Sequence, residues 1–252
     1  MSRQAGFTLA ELAIVMLVFS ILLGGMFVSI STQLDLRSIS DTQRSMEQAR
    51  EALIGFAVAR GYLPCPASAT NMNANTPTGN GSETARFGGN CTVFDGYVPA
   101  VTLSITPTDA QGFLIDSYGT RIRYAVTRDT IGADYPFTTT NFASQIKQVG
   151  IAALNPNLAV CSTSAGITVS DCSGASTRLT NSAVAVIYSL GKNARSATGG
   201  TGADESKNLD ANRSFVSHDI TDSAAANGEF DDLLTWLSPN ILYNRLIAAG
   251  AI

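Results

Sequence analysis

The strongest constraint on this chain is an apolar stretch near its amino terminus, from Phe7 to Ile30, in which Glu11 is the only charged residue. A helix rises about 1.5 Å per residue, so a stretch of this length can cross a hydrocarbon core about 30 Å thick. The only charged side chain before it is Arg3. Because positive charge tends to stay in the cytoplasm, the sequence predicts one membrane-spanning helix over residues 7–34, with a cytoplasmic amino terminus and the rest of the chain on the other side.

A secretory signal peptide is the alternative interpretation of this stretch. Two features oppose it, since the apolar run exceeds the usual length of about 7–15 residues and Glu11 would serve no purpose near the start of such a signal. An acid at membrane depth costs about 2.5–3.5 kcal/mol, and no basic residue lies within the span to offset that cost. We therefore expect Glu11 to have a partner from outside the span.

The start of the apolar stretch carries a sequence motif. The residues GFTLAEL occupy positions 6–12, behind a short leader with one basic residue. Over residues 1–60 the chain resembles type IV pilins and type II secretion pseudopilins, whose precursors carry a class III signal. The resemblance implies cleavage after Gly6 by the prepilin peptidase, N-methylation of Phe7, and a role for Glu11 in assembly. In that family the acid neutralises the terminal amine of a neighbouring subunit as the helices pack into a filament.

The apolar pattern changes after the span. Over residues 35–60 apolar side chains recur at intervals of three, four and seven between charged ones, which predicts an amphipathic stalk helix packed on a domain. The apolar positions are Leu36, Ile39, Met46, Ala49, Leu53 and Phe56. Gly61 is suited to end this helix, and Pro64 cannot continue it. The predicted organisation is a leader at residues 1–6, the spanning and stalk helices, and a globular head over residues 61–252.

The head is expected to be α+β, with a small antiparallel β-sheet laid on the stalk helix, as in pilin-like folds. The candidate strands share a high content of β-branched and aromatic residues. They are residues 121–127, 147–153, 166–169 and 183–190. Residues 116–119 have the composition of a turn between strands.

The carboxyl-terminal segment is predicted to be helical. Its apolar face would consist of Phe230, Leu233, Leu234 and Leu237. In such a helix Glu229, Asp231 and Asp232 occupy the first turn, where the helix dipole favours acids, so we interpret them as capping residues. Ser238 and Pro239 can start a second short helix.

Four cysteines lie beyond the span, in a compartment where disulfides persist. Their spacing suggests the pairs Cys65–Cys91 and Cys161–Cys172, although four cysteines allow three connectivities. Reduced, buried cysteines are the alternative. No CxxC motif occurs, so the sequence gives no support to a redox enzyme.

The segment from Asp204 to Asp232 is strongly acidic, with eight acids against two bases. Residues 188–191, which precede it, resemble a strand and the following loop of the major type II secretion pseudopilin, which binds Ca²⁺ in the corresponding loop. The resemblance implies a calcium site with Asp204, Asp210 and Asp219 as candidate ligands. A solvated acidic loop without metal is the alternative.

Composition argues against several functional classes. A formal net charge of -4, with 14% charged residues, opposes a protein that grips nucleic acid through its phosphates. His218 is the only histidine, and no zinc-ligand spacing is present. The sequence therefore predicts no catalytic residue and no cofactor other than calcium.

The predicted function is that of a structural subunit of a type IV pilus or type II secretion pseudopilus. Its expected partners are other pilin or pseudopilin subunits, the prepilin peptidase, an inner-membrane assembly platform, and membrane lipid before assembly. The expected location is the bacterial inner membrane, with the head in the periplasm, followed by the filament. Two alternatives stay open: a minor tip pilin that acts as an adhesin or priming subunit, and a membrane-anchored periplasmic binding protein or enzyme.

Overall fold

The computed structural model describes residues 8–70, 79–130, 135–173, 176–194, 200 and 202–252, and it describes residues 23–32 by their backbone alone. The chain divides into two compact units, Met1–Ser40 and Asp41–Ile252. The fold is α+β, with an amino-terminal helix and small β-sheets, which confirms the predicted fold class.

The amino-terminal helix, α1, spans Leu9–Arg60. The predicted membrane span of residues 7–34 extends beyond the described part of the chain, because it includes residue 7 and the side chains of residues 23–32. Among the described residues, no helix is both long enough and apolar enough to cross a membrane.

The end of α1 matches the prediction. Gly61 adopts a left-handed conformation with φ of 80°, and its N–H donates a hydrogen bond of 2.8 Å to the carbonyl oxygen of Ala57. Glycine adopts this conformation without a steric penalty, so it ends the helix at low cost.

Among the described residues, the second unit contains three β-sheets, four α-helices in addition to α1, and one 3₁₀ turn. A two-stranded hairpin pairs β1 with β2, a four-stranded antiparallel sheet has the order β3-β4-β7-β9, and a three-stranded sheet has the order β6-β5-β8. The elements are β1 Arg86–Phe87, β2 Asn90–Cys91, β3 Asp95–Tyr97, α2 Ala100–Leu103, β4 Arg123–Val126, α3 Phe142–Val149, a 3₁₀ turn Ile151–Ala153, β5 Leu158–Cys161, β6 Arg178–Ala183, β7 Ala185–Ser189, α4 Ala203–Lys207, β8 Ser214–Val216, β9 Leu233–Leu237 and α5 Pro239–Ala248.

One pair in the three-stranded sheet is parallel. β5 runs parallel to β8 and antiparallel to β6, whereas the sequence suggested an antiparallel sheet. Parallel neighbours need a long connection, and the chain between β5 and β8 supplies it by passing through the four-stranded sheet as β7.

The carboxyl-terminal part of α1 contributes to the core of the second unit. The predicted apolar positions Met46, Ala49 and Leu53 are buried, and Ala57 continues the same face. This spacing of three and four residues places their side chains on one side of a helix. Leu36, which belongs to the first unit, is exposed instead.

Two predicted strands are confirmed and two are wrong. Residues 121–127 and 183–190 contain β4 and β7. Residues 147–153 instead complete α3 and the 3₁₀ turn, because Phe142 and Ile146 lie one helical turn apart and are buried together. Residues 166–169 form no strand.

The predicted helix over residues 229–237 is also wrong, because Leu233–Leu237 form strand β9. This strand pairs with β7, where every residue is buried. The periodicity of a short apolar run does not distinguish a strand from a helix. Here the pairing with the buried strand β7 makes the segment a strand. The second helix after Ser238 is confirmed as α5, with Pro239 in its first turn.

Both suggested disulfides are present. Cys65 pairs with Cys91, and Cys161 pairs with Cys172, with Cα–Cα distances of 5.5 and 5.6 Å. All four cysteines are buried.

Removal of the first disulfide is expected to cost more stability than removal of the second. The bridges close chain segments of 26 and 11 residues, for which chain entropy gives about 3.5 and about 2.8 kcal/mol. We expect Cys65→Ser with Cys91→Ser to lower the free energy of unfolding by about the larger amount, measured by urea unfolding of the full chain in detergent. The Cys161→Ser with Cys172→Ser double variant is the matched control, and a larger loss in that control would contradict the prediction.

Candidate functional site

The first helical turn of α1 contains a reciprocal cap. The Glu11 Oε2 accepts hydrogen bonds of 2.9 Å from both the backbone N–H and the hydroxyl of Thr8, and the Glu11 N–H donates to the Thr8 Oγ1 at 3.3 Å. This is the capping box that Thr-x-x-Glu signals in sequence. The spacing of Thr8 and Glu11 in the sequence is the signal that would have predicted this cap. Gly6 and Phe7, the predicted cleavage and methylation residues, lie outside the described part of the chain.

The helix that follows Glu11 presents apolar side chains without protein cover. Every described side chain from Thr8 to Leu22 is exposed. The large apolar ones are Leu9, Leu12, Ile14, Val15, Met16, Leu17, Val18, Phe19, Ile21 and Leu22. A contiguous apolar surface of this kind marks a site of protein or lipid contact.

Asp204, the first predicted calcium ligand, is already satisfied by hydrogen bonds. Its Oδ1 accepts from the Ser164 N–H at 2.6 Å and the Thr163 hydroxyl at 3.2 Å. Its Oδ2 lies 3.1 Å from both the His218 Nε2 and the Asn227 Nδ2. Burial acts to raise the pKa of Asp204, but the hydrogen bonds from Ser164, Asn227 and Thr163 lower it overall. Asp204 therefore acts as a buried acceptor that joins separate loops.

The other two predicted ligands are exposed. The carboxylate of Asp210 pairs with Lys207 and accepts from Asn212. Asp219 is exposed, and its backbone carbonyl lies 2.7 Å from the His218 Nδ1. Among the described residues, the structure does not gather Asp204, Asp210 and Asp219 into one group that could hold a metal ion.

Three other acids form such a group, here called the carboxylate cluster: Glu205, Asp231 and Asp232. One oxygen from each lies within 4.8 Å of the other two. Glu205 belongs to α4 and is fully buried, while Asp232 is 2% exposed. Because residues 233–237 form a strand rather than a helix, the two aspartates stand directly before β9 and not in a helical first turn.

Hydrogen bonds attach the cluster to the loop that follows β7. The Asp231 Oδ2 accepts from the N–H groups of Lys192 and Asn193 at 2.9 and 3.2 Å. The Glu205 Oε1 accepts from the Asn193 Nδ2 at 2.9 Å and from the Asp231 N–H at 3.0 Å. The cluster thus links α4, the end of β7 and the segment before β9.

Burial makes Asp231 and Asp232 weaker acids than aspartate is in water. It raises the pKa of Asp232 to about 8, and the neighbouring charges of Glu205 and Asp231 act in the same direction, against a hydrogen bond of 2.7 Å from the Asn208 Nδ2. Burial also raises the pKa of Asp231 to about 6, to which the charge of Glu205 contributes. The folded chain therefore holds negative charge here at an energetic cost unless a cation or a proton compensates it.

His218 and Trp236 have structural roles. The His218 ring stacks on Phe230 with centroids 3.9 Å apart, and its Nε2 lies 3.1 Å from the Asp204 Oδ2. Trp236 is partly buried against the core cluster that contains Tyr188 and Phe215. This position makes Trp236 a packing anchor for that cluster.

The amino-terminal signal has a match among known families. Residues 1–27 match the model of the prokaryotic N-terminal methylation motif, which is the class III signal of type IV pilins and pseudopilins. The chain therefore carries the signal of a prepilin-type protein, and the resemblance noted from its sequence is confirmed. Such a motif implies processing by a prepilin peptidase and assembly with other pilin-type subunits. Proteins of the pilin type are typically not enzymes. No curated protein and no solved structure matches the chain.

Proposed function

We propose that this protein is a structural subunit of a type IV pilus or a type II secretion pseudopilus. The observation that carries the proposal is the amino-terminal methylation motif at residues 1–27, followed by a helix with exposed apolar side chains. In this proposal the peptidase cuts after Gly6, the new terminus at Phe7 is methylated, and an inner-membrane assembly platform moves the subunit into a helical filament.

Energetics favours two successive environments for the apolar helix. Exposed apolar surface costs about 25 cal/mol per Å² in water, so the helix between Leu9 and Leu22 needs cover at every stage. Membrane lipid provides this cover before assembly, and the same helices of neighbouring subunits provide it in the filament. The head, held together by its two disulfides, then lies at the filament surface.

Glu11 fixes the axial position of each subunit relative to its neighbour in the filament. A carboxylate in an apolar environment is costly unless a positive charge meets it. The cleaved and methylated terminus of a neighbouring subunit brings an ammonium group to the depth of Glu11. Only the aligned arrangement pairs the two charges, so the pair selects one axial offset between subunits.

Substitution of Gly6 tests the processing step. We expect Gly6→Leu to leave an uncleaved precursor in membranes, because a bulky side chain blocks the peptidase at the residue before the cut. Mass spectrometry of the isolated chain would detect the retained leader and an unmethylated Phe7. Gln4→Leu adds the same side chain within the leader and should be processed normally. A mature, methylated Gly6→Leu chain would contradict the proposed function.

A further inference from the structure

We propose that a cavity beside strand β4 binds a carboxylate group attached to a small apolar body. The cavity has a volume of about 250 Å³ and is here called the arginine pocket. The lining residues that matter for binding are Tyr97, Arg121, Arg123, Leu190 and Ala194. This site lies outside the amino-terminal signal and the predicted calcium ligands, and it does not depend on the proposed role in a filament.

The extended chain at the start of β4 brings the two arginines to one face of the sheet. Arg121 and Arg123 are two residues apart, so their side chains point to the same side. Ile122 and Tyr124, which alternate with them, are fully buried. In the antiparallel pairing Arg123 lies opposite Tyr97 of β3. The Tyr97 ring centroid lies 5.8 Å from the Arg121 Cζ and 5.4 Å from the Arg123 Cζ, so one ring is within cation–π distance of both guanidinium groups.

Hydrogen bonds to neighbouring side chains hold each guanidinium group in place. The Arg121 Nε donates to the Asp109 Oδ2 at 2.6 Å. Arg123 donates to the Tyr188 hydroxyl at 2.8 Å and to the Asp95 Oδ1 at 3.1 Å. Because both groups are ordered before a ligand arrives, binding loses little side-chain entropy.

Each arginine keeps one nitrogen for a ligand. The Nε and Nη2 atoms of both arginines donate hydrogen bonds within the head, and the Arg121 Nη2 donates to Gln111. The Nη1 of Arg121 and that of Arg123 donate to no described residue, and neither is among the solvent-inaccessible atoms that lack a partner. A guanidinium group is always charged and offers only donors. Two such donors beside one cavity suit the two oxygens of a carboxylate.

The remaining walls of the arginine pocket select an apolar body of limited size. Leu190 and Ala194, in the segment after β7, are both half-buried and line the cavity. Pockets for drug-sized ligands have volumes of about 300–1,000 Å³, so this smaller cavity suits a group about as large as one amino acid. The carboxyl terminus of a polypeptide and a small free acid both provide such a group.

The acid partners of the arginines favour a carboxylate over a phosphate. Arg121 pairs with Asp109, and Arg123 pairs with Asp95, so these four side chains carry no net charge. A phosphate monoester has about 1.5–2 negative charges, which this set cannot offset. A carboxylate has one negative charge, which the two Nη1 groups can meet with charge-assisted hydrogen bonds. We therefore expect weak binding that is selective for a monoanion.

Ligand-observed NMR titration of the full chain in a nonionic detergent tests the proposal. We expect N-acetyl-leucine to bind with a Kd on the order of 1 mM, as ordinary efficiency gives for about a dozen heavy atoms. N-acetyl-leucinamide has a neutral amide in place of the carboxylate and should bind at least about tenfold more weakly. Equal binding of the acid and the amide, or no protein-dependent signal from the acid, would overturn the proposal. Tighter binding of inorganic phosphate would overturn the choice of a carboxylate.

Isovalerate separates the two sources of the carboxylate. It has the same acid group and a branched apolar body, but it lacks the amide of N-acetyl-leucine. Tighter binding of N-acetyl-leucine would support the carboxyl terminus of a polypeptide as the ligand. Equal or tighter binding of isovalerate would support a small free acid.

Three variants locate the ligand. Arg121→Gln should weaken binding of N-acetyl-leucine at least about tenfold, because it removes one of the two charged donors. Arg178→Gln is the matched control and should bind as the parent chain does, since Arg178 pairs with Asp171 and does not line the cavity. Ala194→Phe fills the cavity without removing a hydrogen bond of the head, so it replaces Arg121→Gln if that variant is poorly folded by circular dichroism. Unchanged affinity in the folded variant, or equal loss in Arg178→Gln, would overturn the assignment to this pocket.

Discussion

Replacement of Glu11 with alanine is expected to leave the subunit in the membrane but to exclude it from filaments. Insertion should be unaffected or improved, since the change removes an acid that costs about 2.5–3.5 kcal/mol at membrane depth. Assembly should fail, because the ammonium of the neighbouring subunit would then enter the apolar filament core without an opposite charge. We expect Glu11→Ala chains to be processed, to fractionate with membranes, and to be missing from sheared fibres on immunoblots.

The capping box dictates the control for this experiment. Glu11 also accepts hydrogen bonds from Thr8, so Glu11→Ala removes a helix cap as well as a charge. Thr8→Val removes the side-chain part of the cap, at a cost of about 1 kcal/mol, and keeps the carboxylate. Fibres from Thr8→Val together with none from Glu11→Ala would assign the defect to the charge. Normal fibres from Glu11→Ala would refute charge pairing.

Replacement of Arg123 with alanine is expected to destabilise the head by about 3–5 kcal/mol, the usual cost of leaving one member of a buried ion pair alone. Arg123 on β4 donates to the Tyr188 hydroxyl on β7 at 2.8 Å and to the Asp95 Oδ1 on β3 at 3.1 Å. The Tyr188 hydroxyl in turn donates to the same Asp95 oxygen at 3.1 Å. The Asp95 side chain is 4% exposed, so loss of the guanidinium leaves a largely buried carboxylate without an opposite charge.

Urea unfolding of the full chain in detergent measures this cost, and thermal melting should show a midpoint lowered by roughly 6–20 °C. The Arg123→Ala with Asp95→Ala double variant is the control, because it removes the stranded charge and should recover part of the loss. A loss below about 1 kcal/mol in the single variant would mean that the network contributes no more than a surface ion pair.

Local signals predicted several elements of the fold correctly. Three of these elements depend only on residues that lie within one or two helical turns along the chain. They are the apolar face of α1 at Met46, Ala49 and Leu53, the end of α1 at Gly61, and the start of α5 at Pro239. Strand β9 could not be predicted in this way. The residues from Leu233 to Leu237 suit a helix or a strand equally, and the pairing with β7 that decides between them joins segments more than forty residues apart.

The wrongly predicted helix over residues 229–237 is also the reason that the carboxylate cluster was not predicted. In a helix over residues 229–237, Asp231 and Asp232 would be ordinary capping acids of the first turn. The count of eight acids between Asp204 and Asp232 indicated an attraction for cations, but it contained no information on which carboxylates would be buried together. Glu205 enters the cluster only because α4 lies beside the segment that precedes β9, which is a property of the tertiary fold.

The two larger sheets of the head are interleaved along the chain. The four-stranded sheet takes β3, β4, β7 and β9, while the three-stranded sheet takes β5, β6 and β8. Neither sheet can therefore be finished before strands of the other have been made, and no cut between β3 and β9 yields two self-sufficient halves. Such non-local pairing makes folding slow relative to a chain of local contacts. Because a chain is synthesised from its amino terminus, the four-stranded sheet can close only when its last strand, β9, has been made, after the three-stranded sheet already has all its strands.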